Sequence, residues 1–125
     1  MREVTCFDDV RNAEIKSFDL WNADTDKVLE RNFKNNTAFC FTNSTLNIEA
    51  IANACVEKVK MSLLGPLSKK GESKDTAPYT IFGFDNDNRK NLHGKRLPIG
   101  AYTLTTEMED SYTPKSIVTF TIQKC

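Results

Sequence analysis

The chain has 125 residues, 39% of them apolar, which suffices for one domain with its own core but not for two. Seventeen basic residues balance seventeen acidic ones, so the chain lacks the basic surface expected for binding nucleic acid or anionic membranes. No apolar run approaches the roughly 20 residues that span a bilayer, so no membrane insertion by this domain is expected.

Most of the chain alternates between apolar and polar side chains, which is the pattern of half-buried strands. The alternation predicts strands over residues 15–21, 27–29, 38–41, 46–50, 56–64, 79–84, 100–108 and 116–122. Polar or turn-forming residues predict loops over residues 22–26, 31–36, 68–75 and 85–94. A helix over residues 47–60 is a weaker alternative, because the flanking segments are strand-like. Two packed antiparallel sheets are therefore expected.

The predicted strands also define which side chains face the core. The expected inward residues are Phe18 and Leu20, then Val59, Met61 and Leu63, then Tyr102, Leu104, Thr106 and Met108, and finally Val118, Phe120 and Ile122.

Four scattered cysteines, Cys6, Cys40, Cys55 and Cys125, favour two disulfides over a zinc site, since none forms a close pair. Asn35 and Asn43 begin N-glycosylation sequons, which agrees with an oxidising compartment. The first ten residues are polar and do not resemble a signal peptide. We expect a trimmed extracellular fragment, with Met1 as an added start residue and residues 1–125 forming one domain.

One segment resembles a known domain type. Gly100, Tyr102 and Leu104 form Gly-x-Tyr-x-Leu, which is similar to the Gly-x-Tyr-x-Cys that opens strand F of immunoglobulin domains. There the tyrosine forms a corner, its hydroxyl bonding to the backbone a few residues upstream. The segment around Ile48 likewise resembles strand B, and Val59 lies where strand C carries its core Trp. The resemblance implies an immunoglobulin-like, V-set-like Greek-key β-sandwich in which Ile48, Leu104 and Val59 replace the usual disulfide and Trp.

Within that fold, Greek-key geometry predicts the cysteine pairing. A strand at residues 38–41 would run parallel to the last strand, which brings Cys40 near Cys125. The end of strand B would lie near the start of the first long strand, which brings Cys55 near Cys6. Of the three possible connectivities, we therefore expect Cys6–Cys55 and Cys40–Cys125.

Three segments carry a closer resemblance: SFDLWNADTD (17–26), APYTIFG (77–83) and LPIGAYTLT (97–105). They resemble the membrane-distal domain of the allorecognition receptors of colonial hydroids. The resemblance implies the extracellular tip of a single-pass membrane receptor that binds its own copy on an opposing cell. It transfers a role and no binding residues. We expect binding without catalysis and without a cofactor, since cysteines that are oxidised cannot act as nucleophiles.

Other chemistry is weakly signalled. The Asp85–Asn88 stretch fails the EF-hand pattern, with Lys90 and Arg96 where Gly and Glu belong, and a cadherin-like calcium site using Asp24, Asp26 or Asp85 is a minor alternative. His93 lacks an evident catalytic partner.

Trp21 could stack on a sugar, which keeps open the alternative of a carbohydrate- or ligand-binding module of a secreted protein.

Overall fold

The computed structural model describes residues 15–41, 44–52, 59–74, 79–83, 92–108 and 115–124. Within these ranges the chain forms nine strands and no helix. The strands are β1 (Ile15–Asn22), β2 (Lys27–Glu30), β3 (Thr37–Phe39), β4 (Leu46–Ala52), β5 (Val59–Leu64), β6 (Lys69–Lys74), β7 (Tyr79–Thr80), β8 (Gly100–Met108) and β9 (Ser116–Ile122). The expected all-β class is confirmed.

The strands form two sheets. One has four strands in the order β2-β1-β4-β7, and the other has five in the order β3-β9-β8-β5-β6. Paired strands are antiparallel, except that β3 runs parallel to β9. The chain passes between the sheets after β2, β3, β4, β6 and β7, so neither sheet forms alone. This arrangement is consistent with a β-sandwich.

Side chains from both sheets meet in one hydrophobic core. Along most of β5, β8 and β9 every second residue is buried, as the period-2 geometry of a strand predicts, whereas β1 and β4 each bury three consecutive residues. The inward residues are Phe18 and Leu20 of β1; Leu46, Ile48 and Ala50 of β4; Val59, Met61 and Leu63 of β5; Tyr102, Leu104, Thr106 and Met108 of β8; and Val118, Phe120 and Ile122 of β9. Each large apolar side chain buried in this way contributes roughly 1.5–3 kcal/mol.

An aromatic cluster closes one part of the core. Phe33 lies in the segment between β2 and β3, yet only 4% of it is exposed. Its ring packs edge-on against Phe39 and Phe120, with centroids 5.2 and 5.8 Å away. Such edge-to-face pairs add about 0.5–1.5 kcal/mol each beyond area burial. The sequence predicts a polar loop around Phe33, because a single apolar residue between polar neighbours shows no alternation that would indicate burial.

Three sequence-based expectations are wrong. The strand expected over residues 79–84 stops at Thr80, since β7 is Tyr79–Thr80 and the amide of Phe82 donates to the side chain of Asn47 at 3.0 Å and not to the backbone of a neighbouring strand. The charged loop expected over residues 68–75 is largely strand β6, which pairs with β5. Charged residues suit an edge strand because they discourage pairing with other chains, so the pattern was mistaken for a loop. The helical alternative over residues 47–60 also fails, because β4 and the start of β5 occupy the described parts of that range.

Candidate functional site

The side chain of Tyr102 anchors the start of β8. Its hydroxyl donates a 2.6 Å hydrogen bond to the carbonyl of Pro98, four residues upstream, while the residue itself is 1% exposed. The ring stacks on Phe120 of β9 with centroids 5.2 Å apart. The geometry is that described for a tyrosine corner, and it fixes how the chain enters β8.

Three apolar residues fill the centre of the sandwich. Ile48, Val59 and Leu104 lie in β4, β5 and β8, and none has measurable exposure. Ile48 belongs to the four-stranded sheet and the other two to the five-stranded sheet. Packing, and not a covalent link, therefore joins the two layers at these positions.

Cys40 follows β3 directly and is disulfide-bonded. The other three cysteines lie outside the described residues, so the pairing Cys40–Cys125 and Cys6–Cys55 stays a prediction. β3 and β9 run parallel, and the amide of Gln123 donates to the carbonyl of Phe39 at 2.8 Å. This contact leaves Cys40 beside the end of β9 at Ile122, three residues before Cys125.

The first sequon lies against β9. Asn35 is exposed, and its Oδ1 accepts a hydrogen bond from the amide of Thr119 at 2.9 Å. The Thr119 hydroxyl donates to Oδ1 of Asn36 at 2.9 Å, and the amide of Asn36 donates to the Thr119 carbonyl at 2.7 Å. These bonds fix the segment at the edge of the five-stranded sheet. The second sequon, at Asn43, lies outside the described residues.

The outer face of the four-stranded sheet carries a polar cluster. Asp19 and Glu49 are cross-strand partners, and the indole of Trp21 donates to Glu49 Oε1 at 3.1 Å. Asp19 is 5% exposed; its carboxylate accepts from the amide of Asn32 at 2.8 Å and lies 3.5 Å from the guanidinium of Arg31. Burial raises the pKa of the Glu49 carboxyl, and Asp19 adds to this, whereas the Trp21 hydrogen bond and Arg31 act in the opposite direction.

Trp21 is therefore less suited to stacking on a sugar than the sequence alone suggests. Its side chain is half-buried and its polar nitrogen already has an acceptor within the chain. A stacking platform needs a ring face open to solvent. The cluster serves primarily to join β1 to β4.

The acidic loop residues are partly described. Asn22 Oδ1 accepts from the amides of Asp24 and Thr25 at 2.9 and 3.2 Å, which closes an Asx-type turn. Oδ1 of Asp26 accepts from the amide of Leu92 at 3.2 Å. Among the described residues there is no group of three or more His, Cys, Asp or Glu that could hold a metal ion. The stretch from Asp85 to Asn88 lies outside those residues.

Among the described residues, the outer face of the five-stranded sheet holds two of the three large apolar side chains that are exposed. Leu64 of β5 is 69% exposed and Ile117 of β9 is 54% exposed. Between them, the outward positions of β8 hold Thr103 and Thr105. This surface is not among the features that the sequence singles out, although the same alternation that defines the inward positions places Leu64 and Ile117 outward.

Comparison with known proteins finds no match: no family model, no curated protein and no solved structure matches this chain. In the described part of the chain, no helix is both long enough and apolar enough to cross a bilayer.

Proposed function

We propose that this chain is an immunoglobulin-like, V-set-like domain that recognises a second copy of itself on an opposing cell, in self/non-self discrimination. The strand order supports the fold, since β4, β5, β8 and β9 have the connections of strands B, C, F and G. The Tyr102 hydrogen bond supports the placement of strand F. On this proposal the domain is the extracellular part of a single-pass membrane protein and acts by binding, not by catalysis.

One observation supports the proposed contact: two exposed apolar side chains, Leu64 and Ile117, lie diagonally across the outer face of the five-stranded sheet. Leu64 pairs in register with Thr103, whereas Ile117 pairs with Thr105 on the other side of β8. Two strand spacings across the sheet and two residues along the strand separate them, which is roughly 12 Å. The midpoint of this diagonal falls on β8 between Thr103 and Thr105.

This arrangement is self-complementary. When two copies meet face to face, their two-fold axis lies in the plane of the contact. If the axis crosses the diagonal at its midpoint and at a right angle, Leu64 of each copy meets Ile117 of the other. The neighbouring outward residues are uncharged, so they can meet the other copy without charge repulsion. They are Ser62, Thr103, Thr105 and Thr119. The formal net charge of zero likewise gives no long-range repulsion between copies.

The contact is expected to be weak in solution. Few large apolar side chains stand on this face, which suits an interface at or below the lower end of the standard size. Many copies on two apposed membranes would supply the strength through avidity. On β5 and β8, the charged outward residues Lys60 and Glu107 lie beyond the Thr105 row, and Glu107 forms a 3.5 Å ion pair with Lys115.

A charge-complementation experiment tests the proposal. Beads displaying the domain should cluster, and beads with either Leu64→Lys or Ile117→Glu should not cluster with themselves. Mixing the two variants should restore clustering, because each mixed contact has one Lys–Glu pair and one intact Leu–Ile pair. Both sites are exposed, so neither change should unfold the domain.

The control is Ile99→Lys, because Ile99 is 57% exposed but lies outside these three strands. It should cluster like the wild type. Dispersed wild-type beads at high display density would refute self-recognition. Clustering unaffected by either variant would refute this face, and a failure of the mixture to recover would refute the proposed axis.

A further inference from the structure

A pocket of about 550 Å³ opens on a different part of the molecule. One wall is the turn after β5 together with the start of β6, and the other walls come from residues 81–83 and 92–95. The lining comprises two apolar side chains, a serine and three basic residues: Leu67, Phe82, Ser68, Lys69, His93 and Lys95. This volume lies in the range of small-molecule sites, roughly 300–1,000 Å³.

A buried amide builds two of these walls. Asn47 has no measurable exposure, and its Nδ2 donates to the carbonyls of Gly83 and His93 at 3.0 and 2.7 Å. Its Oδ1 accepts from the amide of Phe82 at 3.0 Å. One side chain therefore holds both segments in a fixed relation, and the pocket is formed before any ligand arrives.

The backbone of the 92–95 segment is held just as firmly. Lys95 and Leu46 exchange two backbone hydrogen bonds of 2.8 and 3.0 Å. Gly94 lies so close to the four-stranded sheet that a Cβ there would be 2.6 Å from Cβ of Ala23 and 2.7 Å from Cγ2 of Thr45. Only glycine lets the segment lie this close.

The chemistry of the lining favours an anion with an apolar face. Lys95 and Lys69 line different walls of the pocket, and no acidic residue is among the lining residues. Phe82 is half-buried, so part of its ring faces the pocket. Lys69 and His93 also interact with other groups of the chain, so the exposed Lys95 is the principal partner for the anion. With two lysines the site matches one anionic group and not a polyanion, which needs a track of basic residues.

We propose that this pocket binds a single anionic sugar, the carboxylate of which pairs with Lys95 while the ring packs on Phe82. Sialic and uronic acids combine these two features. The inference is independent of the proposed self-contact, since it uses none of the outward residues of β5, β8 and β9. It also gives the ligand-binding alternative a place other than Trp21.

The test is titration of the isotope-labelled domain, followed by amide resonances, with 3′-sialyllactose, neutral lactose and glucose 6-phosphate. We expect 3′-sialyllactose to shift the amides of residues 81–83 and 92–95 saturably, and lactose to leave them unchanged. Glucose 6-phosphate separates a sugar carboxylate from a sugar phosphate as the anion recognised. Equal responses to sialyllactose and lactose, a response to the phosphate alone, or no response up to about 10 mM would overturn the proposal.

A pair of variants sharpens the result. Lys95→Gln keeps the backbone bonds to Leu46 and should weaken sialyllactose binding about tenfold, which corresponds to the loss of one charge-assisted contact. Lys60→Gln, an exposed lysine of β5 outside the pocket, should leave the affinity unchanged. If both variants bind as the wild type does, Lys95 does not hold the carboxylate.

Discussion

Thr106 is a polar residue in an apolar place. It lies between Leu104 and Met108 on the inward face of β8, is 1% exposed, and its hydroxyl has no hydrogen-bond partner. A buried hydroxyl without a partner costs about 1–3 kcal/mol relative to one in water. Thr106→Val keeps the branched shape and removes the hydroxyl, so the free energy of unfolding should rise by about 1 kcal/mol.

The neighbouring residue provides the control. Thr105 faces outward and is half-exposed, so Thr105→Val removes a hydroxyl that water already satisfies. Urea denaturation of both variants should give a higher midpoint only for Thr106→Val, with the same slope for each. A lower midpoint for Thr106→Val would mean that the hydroxyl has a partner in solution.

Glu49 should make stability depend on pH. Burial raises the pKa of its carboxyl, so folding favours the protonated form. The resulting stabilisation is complete below the ordinary Glu pKa of about 4.3 and is lost as the pH rises through the folded-state pKa. Glu49→Gln mimics the protonated form and can still accept the Trp21 hydrogen bond. It should therefore raise the melting temperature at neutral pH but not at pH values well below about 4.

Glu107→Gln is the matched control for the pH experiment. The Glu107 side chain is 40% exposed and lies 3.5 Å from Lys115. A surface ion pair of this kind contributes about 0–1 kcal/mol, so its loss should change stability little at neutral pH. Equal effects of both variants across the pH range would show that burial of Glu49 is not the cause.

At the residue level, the sequence predicts what depends on local alternation and misses what depends on the fold. The inward positions of β8 and β9 follow directly from their period of two. The burial of Asp19 and Asn47 depends on distant segments, since their partners lie up to 46 positions away. Two polar residues between apolar neighbours carry no local signal for such contacts.

The same distinction holds for whole strands. Strands β8 and β9 have the bounds that the alternation predicts, because both are central and half-buried. Strand β6 lies at the edge of its sheet and the sequence predicts it as a loop, since charged residues are typical both of loops and of edge strands that avoid pairing with other chains. The pocket was not predictable either, because its walls come from β6 and from loops that only Asn47 and the sheet bring together.

At the level of elements, the segment before β3 links glycosylation to the proposed contact. Asn35 is bonded to Thr119, which is two residues from Ile117 on the same strand and the same face. A glycan on Asn35 would thus begin beside Thr119, about 7 Å along the strand from Ile117, which is one of the two apolar residues of the proposed self-contact. Thr37→Ala removes the sequon and, if the glycan shields the face, should increase bead clustering of the protein made in eukaryotic cells.

Thr37→Ser keeps both the sequon and a hydroxyl able to donate to the Lys34 carbonyl, as Thr37 does at 2.6 Å. It should cluster like the wild type, and intact mass should show a glycan on Thr37→Ser that is absent from Thr37→Ala. Equal clustering of the two variants despite that mass difference would show that the glycan leaves the face open. A wild type without a glycan at Asn35 would contradict the expected occupancy.

For the molecule as a whole, the disulfide of Cys40 supplements a core that already joins the two sheets. Because β3 and β9 run parallel and end together, we predict the partner to be Cys125, which closes a loop of most of the chain. In the chain-entropy model a loop of this length stabilises by about 4–5 kcal/mol, and measured losses are typically about 2–4. The Cys40→Ser, Cys125→Ser double variant should therefore unfold at a lower urea concentration.

The buried residues of both sheets are untouched in that variant, so it should remain folded and keep the clustering of the wild type. Peptide mapping without reduction should recover Cys40 linked to Cys125, and a Cys40–Cys55 peptide would refute the pairing. The double variant should lose no more stability than Cys40→Ser alone, because either change opens the same bond. If instead Cys125→Ser left stability unchanged while Cys40→Ser lowered it, the cross-link would begin at Cys40 but end elsewhere, and the parallel pairing of β3 and β9 would act through hydrogen bonds alone.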